Sequence, residues 1–398
     1  MRIAFFTSSR ADFGILRNTV LKLSHDDDTT VQLYVSGSHL SEKYGKTADE
    51  VYKTGISNIF SVNSLMDNNE NSAISSGCGV GIIELSKLID FNRPDIFVLL
   101  GDRYELLVPA TVCVINRIPI IHIHGGEVTE GALDEQIRHA ITKMSHIHLV
   151  STEKYAFNIS KMGEEDWRIN IVGALGLENI KKINELSYDE IEKRTGINLA
   201  KKTFLCTYHP VTLEKEYSPA DQMNNLFSAL DVFGDYQVVF TSPGADPGSE
   251  IIIDMINDYV SKKENLYFFK SLGSELYINF AKKSEIVIGN SSSGIIEVPS
   301  LKTPTVNIGN RQKGRERAKS VIDCDYSKES IIKALEMALS KEFRKTDDKF
   351  MNPYDPYDDD RFSDRVYKII KNIGKSESIL KKKLDFDLLE TQWNYFIK

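Results

Sequence analysis

The sequence lacks most of the features that mark special classes of protein. Its 398 residues hold four cysteines, Cys78, Cys113, Cys206 and Cys324, widely spaced and without a CxxC pair. Such thiols fit a reducing compartment and speak against both a disulfide scaffold and a cysteine-ligated zinc site. A net charge of −8, from 57 acids against 49 bases, comes with no basic stripe. That excludes a surface built to neutralise nucleic-acid phosphates. No apolar run reads as approaching the roughly 18 residues of a membrane span, and the opening MRIAFFTSSR is too short in apolar residues for a signal peptide. A cytoplasmic chain with no membrane partner is expected. No GxGxxG follows a strand-like run, which leaves hydride chemistry through a bound dinucleotide without support, and no GxxxxGK[ST] is present for a P-loop kinase. Neither a cofactor nor a metal is expected. No short-period repeat and no low-complexity tract interrupts the chain.

What is present is the composition of a folded protein, with 41% hydrophobic and 27% charged residues. The length suits two domains and a cleft between them. Short β-branched or aromatic runs recur, each closing in a Gly, Ser, Asp or His cluster before a helix-like pattern: RIAFF, VQLYV, IFVLL and PIIHI, then TFLCTY, YQVVF, LYFF, EIVI and TPTVNI. Strands alternating with helices predict parallel sheets, and the restart after residue 200 predicts two Rossmann-like α/β domains. The first is expected over 1–172, rejoined by a C-terminal helical segment 365–398, and the second over 173–364. The polar stretch from about 172 to 200 marks the boundary. A helix is predicted beyond the loop 352–364, with Val366, Ile369, Ile370 and Ile373 on one face. Phe386, Leu389, Trp393 and Phe396 continue helical spacing in the tail, and Lys381, Lys382 and Lys383 read as a solvated face.

Ligands of open parallel sheets sit outside the carboxyl ends of the strands, where all of these polar clusters lie. EIVIGNSSSGIIEVPS reads as strand, tight turn and helix, with Ser291, Ser292, Ser293 and Gly294 at the helix start. Free N–H groups and the helix dipole there would hold a phosphate, although a serine N-cap produces the same pattern. Arg311, Arg315 and Arg317 after the next strand offer a fork for a diphosphate. Glu297 is placed either to accept from a ribose diol or to serve the helix dipole.

The segment HIHGGEVTEGALDEQIRH, residues 122–139, gathers three histidines and four carboxylates around two glycines. Ile137, Ile141 and Met144 keep helical spacing, and Asp134 extends that stripe, so its carboxylate is expected to point inward, with Arg138 at i+4 as an alternative structural partner. Asp102 in LLGDRYE, Glu127 in HGGE and His209 in CTYHPV also leave strand ends. Clustered acids can hold one member protonated and another ionised, as acid–base catalysis requires. A rival reading takes His122 and His124 as a metal-binding HxH pair on one strand face, with His146 and His148 as a second pair.

Taken in order, SSRADFG, GSHL, GDR, HGGE with DEQIRHAITKMSH, YHPVT, GNSSSGIIEVP and TPTVNIGNRQ resemble the hydrolysing UDP-N-acetylglucosamine 2-epimerases, which make N-acetylmannosamine for sialic acid synthesis, over residues 1 to 372. The resemblance implies a two-domain GT-B fold, its parallel sheets facing an interdomain cleft, with UDP held mainly by the C-terminal domain. It implies that Ser291, Ser292 and Gly294 bind the diphosphate with Arg311, that Glu297 holds the ribose, and that Arg10 reaches phosphate from the N-terminal side. Asp102, Glu127, Asp134 and His209 fall on its catalytic motifs, and His39, Arg103 and His124 become candidate sugar contacts. A homodimer acting on a UDP-sugar is expected. One departure stands out: sialic-acid members commonly carry a catalytic glutamate where this chain has His124, and the loop onward to Asp134 is one residue longer. That change points to UDP-2,4-diacetamido-2,4,6-trideoxyglucose, of legionaminic acid synthesis, as an alternative substrate. More distant alternatives are a GT-B glycosyltransferase, which needs an acceptor, and a non-catalytic nucleotide-sugar sensor, which needs no clustered acids.

Overall fold

A computed structural model of the chain describes all residues except 42–46, 65–70, 130–132, 212–215, 244–247, 346, 374–376 and 386–398. The tail positions Phe386, Leu389, Trp393 and Phe396 therefore lie outside the described residues. Two compact units are present. Over the described residues, the first holds Met1–Glu127 and the chain from 133 to Asn179, and takes back the chain from Tyr357 to Asp385; the second holds Val128, Thr129 and Ile180–Pro356.

The first unit is built on β1 (Arg2–Thr7), β2 (Thr30–Val35), β3 (Ile59–Ser61), β4 (Ile96–Leu100), β5 (Ile120–Ile123), β6 (Ile147–Val150) and β7 (Ile169–Ile171). They pair in parallel in the order β3-β2-β1-β4-β5-β6-β7, with Phe5 opposite both Leu33 and Val98. The second unit carries β8 (Thr203–Thr207), β9 (Gln237–Thr241), β10 (Leu266–Phe269), β11 (Ile286–Gly289), β12 (Thr305–Ile308) and β13 (Val321–Cys324), in the order β10-β9-β8-β11-β12-β13. The nine sequence-predicted strands all form. The short IFS, IHLV, INI and VIDC runs, absent from that prediction, add four more.

Both sheets are buried on two faces, which is why their strands read as near-continuous apolar runs. Alternation still sorts the side chains. Phe204, Cys206, Ile286 and Ile288 meet Met223, Leu226 and Ile256 on one side of the second sheet, while Leu205, Val239 and Val287 meet Ile191 and Phe280 on the other. In the first unit Ala4, Phe6, Phe97, Leu99 and Ile120 pack against Leu85, Ile89, Val112, Ile137 and Ile141 from three helices.

Each strand order reverses direction once, between β1 and β4 and between β8 and β11, and ligand sites of such sheets form at that switch point. At the second switch the two strand ends come very close. Gly289 ends β11 at φ +130°, and a Cβ there would lie 1.9 Å from the Thr207 carbonyl oxygen, so only glycine fits.

Two sequence expectations change here. The helix Asn71–Phe91 is, by length and composition, apolar enough to cross a membrane, against the reading that no run approaches a span. Its serines and glycines hid that run; Leu85 and Ile89 on one face nonetheless join the first unit's core. Lys382 is not a solvated lysine. Its ammonium reaches Glu164 at 2.7 Å and the carbonyls of Lys143 and Ser145 at 2.8 and 2.6 Å, while Arg168, fully buried, binds the carbonyls of Ile379 and Lys381. The chain after the helix Phe362–Ile373 is thereby fastened to the first unit by charge-assisted bonds that a sequence pattern does not reveal.

Candidate active site

At the carboxyl ends of β4 and β5 the first unit concentrates charge. Arg138, 1% exposed on the helix Leu133–Met144, is the centre. Its guanidinium forms an ion pair with Asp102, binds Glu135 at 3.1 Å and donates to the Glu127 carbonyl at 2.8 Å. A buried guanidinium is tolerated only with such compensation. The fork therefore joins the residue after β4 to the turn after β5. Arg138 serves Asp102 and Glu135, not Asp134 as its i+4 spacing suggested. Asp134 itself is exposed, contrary to the expected inward aim, because Arg138 one turn later takes the inward place. Partial burial of its carboxyl still raises its pKa, with the Arg103 charge working against the rise.

Glu127 is buried, at 5% exposure, and its Oε1 accepts from the Ser151 hydroxyl at 3.0 Å. The same oxygen lies 3.4 Å from His124 Nδ1. His124 sits past the end of β5 at φ +63°, in the left-handed region that few side-chain-bearing residues enter. That turn removes it from the strand face of His122, so the HxH metal pair does not share a face. His122 is committed elsewhere: Nε2 pairs with the Gly101 carbonyl at 2.8 Å and Nδ1 with Thr142 at 3.1 Å, and burial pushes its pKa down to about 3. His146 Nδ1 accepts the Ile120 N–H at 3.1 Å, and His148 Nε2 pairs with Glu164 at 3.0 Å. These three histidines are sheet fasteners. Gly126, at φ +74°, lets the turn pass the Tyr155 carbonyl, which a Cβ would approach to 2.5 Å.

Of the candidate sugar contacts, His39 is fully buried, with its ring nitrogens bonded to the Thr7 and Thr47 hydroxyls at 2.9 and 2.8 Å. These bonds tie the β1 end to the segment after β2. Arg103 forms a fork on buried Glu105 at 2.7 and 3.2 Å. Arg10 is an exposed side chain at the first position of the helix Arg10–Ser24, paired with Glu50 at 2.8 Å.

The second unit organises its strand ends through neutral groups. Asn290, fully buried between Gly289 and Ser291, accepts the His209 N–H at 2.7 Å and donates to the His209 carbonyl at 2.8 Å. Its own carbonyl receives Arg311 at 3.1 Å and Gln312 at 2.9 Å. One amide thus joins the exits of β8, β11 and β12, bringing His209, Ser291 and Arg311 together. The sequence reading passed over Asn290 and Gln312; the only cue was an amide directly before the serines.

The helix after the turn is four residues, Ser293–Ile296, shorter than expected, so its dipole is small. The turn before it is closed by its own backbone. The Gly294 and Ile295 N–H groups close it onto the Ser291 and Ser292 carbonyls at 3.2 and 3.1 Å, and Ser293 is held by Tyr277 at 2.5 Å. Gly294 is buried, its carbonyl accepting from Thr305 at 2.9 Å. Glu297 follows, and burial of its carboxyl pushes the pKa up to about 7. Arg317 does not join the expected fork. It donates to the Gln312 carbonyl at 2.8 Å and pairs with Asp323, so it closes its own loop.

A family model described as UDP-N-acetylglucosamine 2-epimerase matches residues 21–371. A Campylobacter jejuni protein named GDP/UDP-N,N'-diacetylbacillosamine 2-epimerase (hydrolyzing) is 36% identical over 348 residues, 86% of this chain and 88% of that protein. The polysialic acid biosynthesis protein P7 of Escherichia coli is 35% identical over 378 residues, 95% of each chain. Among solved structures, that of a UDP-GlcNAc 2-epimerase from Neisseria meningitidis bound to UDP-GlcNAc superposes with a TM-score of 0.78 at 18% identity, covering 94% of this chain and 100% of that one. The two parallel-sheet α/β units thus have the GT-B-like architecture of such enzymes. The chain belongs to the UDP-N-acetylglucosamine 2-epimerase family and is an enzyme of its hydrolysing UDP-sugar class.

Proposed function

We propose that the chain hydrolyses a UDP-linked 2-acetamido sugar with inversion at C2, taking UDP-N-acetylglucosamine to N-acetylmannosamine and UDP. The observation that carries this reading is the pairing of Asp102 with buried Arg138 in one unit, alongside a serine turn joined to Arg311 by Asn290 in the other. Breaking the C1–O bond creates an oxocarbenium ion whose C2 proton is acidic; its loss gives a glycal. Water then adds at C1 and a proton at the opposite face of C2. Asp102, ion-paired with Arg138, suits the cationic sugar, while the Ser291–Ser292 turn, Gly294 and Arg311 suit the departing diphosphate. Glu297 receives the ribose, Arg10 adds a phosphate contact, and His209 and Asp134 assist proton transfer. A second copy of the chain is the proposed partner, supported by Val80, Ile83, Val114 and Ile115, all exposed on two neighbouring helices.

A second reading has a specific observation behind it: the Campylobacter relative and a Legionella pneumophila protein 33% identical to this chain both carry bacillosamine 2-epimerase names. In it the substrate is UDP-2,4-diacetamido-2,4,6-trideoxyglucose and the chemistry is unchanged. Incubation with each UDP-sugar alone, followed by NMR of the released sugar, tests both. Epimerised free sugar plus UDP supports the reading and its faster substrate; no turnover until an acceptor is added would assign the chain to glycosyl transfer.

A further inference from the structure

Resting on that epimerase reading, we propose that Lys382, in the segment after residue 371 where the family match ends, is a positioning residue of the reaction. It caps the helix that carries Arg138 and so sets the Asp102–Arg138 pair. The helix Leu133–Met144 ends in carbonyls that no later turn of its own can satisfy. The Ile141 carbonyl receives the Ser145 hydroxyl at 2.7 Å, and the Thr142 carbonyl receives the Ser145 N–H at 3.1 Å. The Lys143 carbonyl, and that of Ser145 just beyond, receive the Lys382 ammonium at 2.8 and 2.6 Å. The same ammonium lies 2.7 Å from Glu164, so its three donors are all used. A cation at this end also meets the negative pole of the helix dipole. Lys143, the basic residue of the helix's own last turn, is engaged elsewhere, on Glu164 and the Met162 carbonyl.

The segment is held on both sides of Lys382. Buried Arg168 donates to the Ile379 and Lys381 carbonyls at 3.0 and 3.1 Å, and the Asp385 N–H reaches the Gly163 carbonyl at 3.0 Å. Glu164, its side chain fully buried, gathers Lys382, Lys143 and His148 Nε2, the last at 3.0 Å. One carboxylate therefore ties the returning segment to the helix end and to β6, the strand beside β5. Arg138 precedes Lys143 by about a turn and a half of the same helix. Its guanidinium must meet both Asp102 after β4 and the Glu127 carbonyl after β5, so a helix that frays or slides at its far end shifts that fork. A displacement on the order of 1 Å, caused far from the chemistry, can cost on the order of 100-fold in rate. Stability alone does not account for a lysine here, since an apolar residue in place of a buried charge pair often serves as well.

Lys382→Met keeps the length of the side chain and removes the ammonium, leaving Glu164 with Lys143 and His148. The test measures kcat for UDP release from either sugar above, UDP affinity by calorimetry and amide hydrogen exchange, at a temperature where the melt shows the variant folded. The expected result is a fall of about tenfold in kcat with UDP affinity unchanged. Faster exchange should be confined to the end of the helix Leu133–Met144. Lys382→Met combined with Glu164→Gln removes both charges of the pair, and is expected to give the same result should the single variant not fold. A kcat within about twofold of wild type would overturn the proposal, because the cap then stabilises without positioning. So would a lost kcat with exchange at the helix end unchanged, or faster exchange throughout the first unit's sheet, which marks a general loosening. Failure of both variants to fold would make the segment a structural element and overturn the proposal as well. A wild-type enzyme that releases no UDP from either sugar would overturn the epimerase reading itself, and the positioning role with it.

Discussion

The two units share one strand order and one kind of switch point, yet their strand ends are chemically opposite. The first gathers charge, buried Arg138 against Asp102 and Glu135, with the His124 imidazole beside Glu127. The second is held by an amide, hydroxyls and main-chain groups through Asn290, Ser293 and Gln312, and its one acid at the turn, Glu297, is pushed towards neutrality. On the proposed reading, a duplicated architecture separates two tasks. Mobile protons and a cationic sugar call for charges whose ionisation is set by neighbours, whereas a diphosphate calls for donors with little negative charge beside them. Fold alone assigns neither task; the proposal rests on the side chains at the switch points.

The largest expected break in that comparison is Arg138→Met. It leaves Asp102 and Glu135 without their buried counter-charge, so unfolding in urea should show a loss of about 3–5 kcal/mol, with turnover abolished. The equivalent change in the amide-based unit should be milder, and an equal loss in Asn290→Ala would erase the distinction. Asp102→Asn should leave UDP binding intact and reduce kcat by about 100-fold or more. Asp134→Asn, at an exposed position, should cost less; the reverse ranking in steady-state kinetics would move the cationic centre to Asp134. Arg311→Ala should weaken UDP by about 1.5–3 kcal/mol in calorimetry without changing the melt.

The smallest effect concerns Glu297. Its folded pKa is raised to about 7 by burial, so between the ordinary carboxylate range and that value the folded state holds the extra proton. Stability therefore falls as pH rises through this window. Glu297→Gln should raise the melting temperature at pH 8 by a few degrees, on the order of 1 kcal/mol, and leave it unchanged at pH 4. Equal stabilisation at both pH values would contradict the assigned cause.

Much of this was legible in sequence, for a physical reason. A parallel strand must be apolar along its length and must end where the chain turns, so Asp102, His209 and Ser291 announce themselves as polar residues at the ends of apolar runs. Partners were less legible. Arg138 has an acid at i−3 and another at i−4 in Glu135 and Asp134, yet its main partner, Asp102, is 36 residues away. Lys382 and Arg168 meet their partners through the returning C-terminal segment, a tertiary contact that leaves no local period. His39, a candidate sugar contact by resemblance, is bonded to the Thr7 and Thr47 hydroxyls, contacts that leave no trace in the sequence pattern. Backbone torsion was invisible as well, and it is torsion that separates His124 from His122.

The central claim is that the C1–O bond to UDP breaks by elimination before C2 is reprotonated. Turnover in a mixture of deuterated and 18O-labelled water, with the sugar trapped before ring opening exchanges its C1 oxygen, tests it directly. The account predicts one solvent deuterium at C2, the 18O on the sugar's C1 hydroxyl, and unlabelled UDP. Protium retained at C2, or 18O in the UDP phosphate, would contradict it.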